Sequence, residues 1–144
     1  MKQRRERPGG HPPPEHITVE GGRVATAPIA TIVTERFLER HPDELARFQD
    51  PDLVRAWCEH DTRHLIAWAA AEAERGTSLT RQLDWLGVVL ESRGYPARRL
   101  ADTLEIASDV LSEQLGGTAE RIRASLTAGA AHVRAKPTFL TPTG

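Results

Sequence analysis

Between Ala27 and Val133 the apolar residues recur at spacings of three and four, and the breaks in that rhythm fall at Pro42, Gly76, Gly94 with Pro96, and Gly116-Gly117. Such a period gathers apolar side chains on one side of a helix. No Asn-Gly or Asp-Gly hairpin signal interrupts it. The chain is therefore expected to be all-α: a single domain at 27–135 built from about five to six helices, with short connections that make sequential neighbours mostly antiparallel.

The punctuation places the elements. A first helix is expected over Ala27–Arg40, with Pro28 in its first turn and Ile29, Ile32, Val33 and Phe37 on one face. A short turn, Asp43–Phe48, precedes a long helix capped by Asp50, opened by Pro51 and ended at Arg75 by Gly76. Ser78–Arg93 carries Leu79, Leu83, Leu86, Val89 and Leu90. The next helix opens near Pro96 and carries Leu100, Leu104, Ala107 and Leu111 up to Leu115; the last, from Thr118, buries Ile122, Leu126 and Val133, with Gly129 admitting a close helix contact.

Outside this block the chain changes character. Residues 1–26 are rich in Pro, Gly and charge, too poor in apolar side chains to offset the entropy of ordering, and are expected to form a disordered arm. Its Lys2, Arg4, Arg5 and Arg7 read first as a solvated tail and second as a contact for an acidic protein partner. Residues 136–144 are expected to be a flexible tail, whose Phe139 and Leu140 either pack back or serve as a docking peptide.

Composition narrows function more than it identifies it. A net charge of −1 supplies no field for nucleic acid or an anionic membrane. No stretch approaches the length of an apolar membrane span, and the basic start is not followed by an apolar signal core. One cysteine cannot build a disulfide framework, which suits a reducing, cytoplasmic setting. P-loop, GxGxxG, GxSxG, HExxH and paired CxxC motifs are all missing, so an enzyme is not expected.

Chemistry concentrates in Ala56–Trp68, AWCEHDTRHLIAW, which holds the cysteine, two of the three tryptophans, two histidines and an aspartate. On a helix the apolar stripe runs Val54, Trp57, Cys58, Leu65, Trp68, Ala69, and Asp61 completes it, so a carboxylate is expected in the buried seam. A buried carboxylate needs donors. His60 and His64 flank the same face. Three readings stay open: a structural thiol with Asp61 paired to Arg63 or Arg55, a metal site of Cys58, His60, Asp61 and His64, and a Cys-His nucleophile, for which no third orienting group can be named.

The run Cys58-Glu59-His60-Asp61-Thr62-Arg63-His64-Leu65 resembles the phycobiliprotein family, in which a helix carries Cys-x-Arg-Asp followed by two aromatics and a leucine. Cys58 and Asp61 match in type and spacing; His60 stands where the family has Arg, and His64 and Leu65 replace the aromatic pair. The helix lengths and breaks over about residues 51–133 are similar as well. The resemblance implies a globin-like (phycocyanin-like) fold, a linear tetrapyrrole of the biliverdin or phycocyanobilin type tethered through Cys58, and Asp61 accepting from its pyrrole N–H groups. The region before Cys58 is short for the family, which argues against its α/β rod assembly.

A pocket for an open-chain tetrapyrrole needs aromatic walls, a central carboxylate and peripheral cations. Trp57, Trp68 and Trp85 offer walls, and Arg55, Arg63 or Arg81 a cation to replace the missing Arg. The expectation is a non-catalytic bilin-binding protein for light sensing or pigment storage, forming a homo-oligomer through helix faces. The alternatives are a ligand-free regulatory or interaction module that keeps the fold and dimerises, and, less favoured, haem or metal binding through His60 and His64.

Overall fold

The computed structural model describes residues 11–140. The order is a hairpin of β1 (His16–Val19) and β2 (Gly22–Ala25), then α1 (Thr26–Arg40), a 3-10 turn (Pro42–Ala46), α2 (Pro51–Arg75), α3 (Leu79–Ser92), α4 (Arg99–Leu115), a second 3-10 turn (Gly116–Ala119) and α5 (Glu120–Ala135). The protein is thus mostly helical with one small antiparallel sheet. No helix among the described residues is long and apolar enough to cross a membrane.

Local chemistry sets the helix ends. Asp50 accepts hydrogen bonds from the backbone N–H groups of Asp52 at 3.1 Å and Leu53 at 3.3 Å, satisfying two donors that the first turn leaves open. Ser78 does the same for Arg81 at 3.3 Å, and the Glu72 carboxylate takes the Leu79 N–H at 2.8 Å, stitching the end of α2 to the start of α3.

α4 is the central element. Leu100, Ala101, Leu104, Ala107, Val110 and Leu111 are buried, as are Thr103, Ile106 and Ser108, because α1 and α5 cover it from two sides. α2 lies on α1 and α5, and α3 rests mainly on α5 with lighter contact to α2. The α3–α5 approach depends on Gly129: a Cβ there would sit 3.0 Å from Leu83 and 3.1 Å from Leu79.

Three expectations are corrected. The segment 1–26 is no free arm over its described part. Ile17 and Val19 are buried in the core cluster, and β1 pairs with β2 in the register His16↔Ala25 to Val19↔Gly22. The two-residue turn, Glu20-Gly21, has φ of 47° and 81°, the left-handed pair that matches strand twist in a tight hairpin. Glu at the first of those positions is why no familiar turn dipeptide marked it. The arm's remaining cations, Lys2 to Arg7, lie outside the described residues.

The second correction concerns the end of the chain. Lys136–Leu140 folds back over α3 and buries Phe139, while residues 141–144 lie outside the described residues. The third concerns α2, whose inward stripe is Leu53, Val54, Thr62, Leu65, Ile66, Ala69 and Ala70. Thr62, not Asp61, occupies the seam. Asp61 sits one residue round the helix with its side chain 29% exposed, because α2 is buried against α1 and α5 on the side that carries Thr62.

Candidate ligand groove between α2 and α3

Displaced from the seam, Asp61 opens instead into a groove of about 700 Å³ between α2 and α3. Helical spacing brings Trp57, His60, Asp61, His64 and Trp68 onto one wall of it. Trp85, Leu86 and Val89 of α3 form the facing wall, with Gln82 and Arg93 as polar groups, and His11 stands at the edge. All three tryptophans of the chain therefore line a single groove.

The α2 wall is a continuous run of rings. Trp57 meets His60 edge-on at 5.5 Å between centroids, His60 meets His64 at 4.8 Å, and His64 tilts against Trp68 at 5.9 Å. His60 Nδ1 lies 3.1 Å from Asp61 Oδ1. A carboxylate accepts, so Nδ1 carries the proton and the lone pair falls on Nε2. That atom is buried and has no hydrogen-bond partner. No group of three or more His, Cys, Asp or Glu among the described residues is placed to hold a metal ion.

His64 is held below the ordinary imidazole value of 6.5, chiefly by burial and further by neighbouring His60; a hydrogen bond to the His11 backbone and the charge of Asp61 oppose the shift. The neutral ring can thus stay stacked in an apolar wall at neutral pH.

Cys58 belongs to a different space. Its thiol lies on the inward side of α2, where it lines a cavity of about 60 Å³ with Leu38, Thr62, Leu65, Tyr95 and Glu44. Burial pushes its pKa up to about 11; the hydroxyls of Thr34 and Thr62 pull the other way, and the charge of Asp61 adds to the rise. Neither hydroxyl has a hydrogen bond of ordinary geometry. The thiol is protonated at neutral pH and a weak nucleophile. Trp57 and Asp61 line both spaces and form the partition between them.

Of the six residues singled out in the sequence, then, Trp57, His60, Asp61 and His64 share the groove while Cys58 and Arg63 do not. Arg63 turns toward the segment before β1, donating from Nε to Thr26 at 3.1 Å and from Nη2 to the carbonyls of Pro13 at 3.4 Å and Pro14 at 3.3 Å. Arg55 is paired with Glu35 at 2.7 Å. The groove cation is Arg93, one helical turn beyond Val89, which the apolar stripe of that helix could have pointed to. Leu86 and Val89, part of that helix's apolar run, line the groove, and Leu86 packs against the core as well.

No family model, curated protein or solved structure matches this chain.

Proposed function

We propose that the chain is a non-catalytic binding protein for a linear tetrapyrrole, held without a covalent bond in the α2–α3 groove, and that its helices descend from the globin-like arrangement of the phycobiliproteins. The observation that carries this is the convergence of all three tryptophans and one carboxylate on a single groove. Its volume falls within the roughly 300–1,000 Å³ of ordinary small-molecule sites.

The chemistry matches the ligand class part by part. Trp57, Trp68 and Trp85 offer π faces to a long flat apolar molecule. Asp61, partly shielded, accepts from pyrrole N–H groups, and a charge-assisted bond of that kind fixes the ligand's register along the groove. Arg93 answers a propionate at the edge. The Cys58 thiol takes no part, since it faces the inner cavity in its protonated form.

Titration of the full chain with biliverdin tests this. Saturable quenching of tryptophan emission is expected, with the pigment lost on denaturation and binding retained in Cys58→Ser. Asp61→Asn should weaken binding about tenfold or more, the worth of one hydrogen bond to a charged group. Absence of saturable binding would sink the proposal, and a zinc-fluorescent band surviving on a denaturing gel would restore the thioether tether.

One observation favours a second reading. Trp85 is 60% exposed and Val88, one turn on, is 40% exposed, as on a helix face that meets another protein. A chain that binds no pigment and self-associates through α3, with Trp85→Ala abolishing the association, would establish that reading.

A further inference from the structure

α3 is both the outer wall of the groove and the helix least tied to the rest. On one side Leu79 and Leu83 meet Gly129 of α5. On a second, Trp85, Leu86 and Val89 face the groove. A third side, at Asp84, Gly87 and Glu91, is covered by the chain's own C-terminal segment, Lys136–Leu140, while Val88 faces solvent.

That closure is specific. Phe139 is 7% exposed and lies against Gly87, whose missing side chain makes its seat: a Cβ there would stand 2.4 Å from the ring. Glu91, one turn further along α3, accepts from the Thr138 hydroxyl at 3.2 Å and from the backbone N–H of Phe139. Asp84, one turn before Gly87, takes Lys136 Nζ at 2.8 Å and His132 Nε2 at 2.7 Å. The Lys136 ammonium also sits 5.2 Å from the Phe139 ring centre. The contacts thus recur along one side of α3 at Asp84, Gly87 and Glu91, a period of three and four that follows the helix surface. Leu86 of the groove wall is the residue next to Gly87.

We propose that Lys136–Leu140 is a latch that sets the width of the groove: with Phe139 seated at Gly87, α3 is held at the separation from α2 that gives the groove of about 700 Å³, and with the ring unseated α3 swings outward and ligand enters and leaves faster. The coupling to a ligand rests on the function proposed above; the hold on α3 does not. Release needs only the loss of one ring seat, the Lys136–Asp84 ion pair and the hydrogen bonds of Thr138 and Phe139 to Glu91, within reach of a partner that captures the segment or of a ligand that prefers the wider groove. A glycine in mid-helix is otherwise a cost to α3, and the ring seat gives it a reason.

Gly87→Ala is the most direct variant, because it strengthens α3 by helix propensity while expelling the ring. Phe139→Ala empties the seat, and Glu91→Gln weakens the hold on Thr138 and the Phe139 amide without touching the core. Two readouts are taken on the full chain: amide hydrogen exchange of α3, with no ligand present, and the association rate of biliverdin. Exchange in residues 84–92 is expected to quicken in all three variants, while α4 amides stay protected, and association to quicken by about tenfold where the closed state dominates the parent. Unchanged α3 exchange in Gly87→Ala and Phe139→Ala would overturn the latch. Faster exchange with an unaltered association rate would overturn its coupling to the groove. If the parent binds no biliverdin, the proposed ligand fails while hydrogen exchange still decides the latch.

Discussion

Cys58 and Asp61 are one helical turn apart and both line the inner cavity, yet only Asp61 also opens into the groove. A rotation of about 100° per residue separates a side chain pointing into the core from one pointing along its edge. Because burial raises the Cys58 pKa from 9.0 to about 11, the folded chain holds its thiol proton longer than the unfolded chain does. The sign follows: between those values the unfolded state loses the proton first, so this residue costs stability as pH rises above 9.0. At neutral pH the thiolate fraction is about a hundredfold below that of an ordinary cysteine. Alkylation by iodoacetamide at pH 7.5 should therefore be at least that much slower in the native chain than in urea, and Cys58→Ala should flatten the loss of thermal stability seen above pH 9. Rapid native alkylation would place the thiol at the surface. Neither the spacing Cys-x-x-Asp nor its family resemblance carries this difference, because both describe neighbours along α2 and not the helices packed around it.

Among the elements, the 3-10 turn at Pro42–Ala46 shows how much one buried charge can organise. Glu44 is 2% exposed and accepts from Arg47 at 3.0 Å and from Arg99 at the start of α4; Arg99 also reaches Asp43 at 2.9 Å. The pairing fixes the turn against α4 and closes the floor of the inner cavity. Removing one member leaves the other charges without their partner, which costs more than the pair itself contributes. Glu44→Ala should thus lower stability by about 3 kcal/mol, read as a shift in the urea midpoint with little change in slope. A change below about 1 kcal/mol would mean that Asp43 can replace Glu44. The sequence marks this region as a short turn after Pro42, but its buried acid is invisible there, since Glu44 sits between Asp43 and Arg47 as in any solvated loop.

For the molecule as a whole, the hairpin is the largest departure from an all-α expectation. Ile17 and Val19 supply its only strongly buried apolar side chains on β1, and Thr26, fully buried, ties the same segment down by donating to the Pro14 carbonyl at 2.7 Å. Ile17→Asp should destabilise the chain by about 3 kcal/mol, through a lost apolar side chain and an unpaired buried carboxylate, and lower its melting temperature by several degrees. An unaltered melting curve would mean that the hairpin does not belong to the cooperative unit. Helix boundaries were legible because proline, glycine and caps act locally, and the apolar faces because helical periodicity is a property of adjacent residues. The class of candidate site was legible too: aromatics, histidines and an acid on one helix. What the sequence could not determine is which side of α2 each of these faces, that Arg93 and Trp85 stand opposite Asp61, and that Ile17, Val19 and Phe139 are covered. Those depend on how α2 lies between α1 and α5, how far α3 stands off, and what folds back over both. A helix has one period but many possible partners, and burial is decided by the partners.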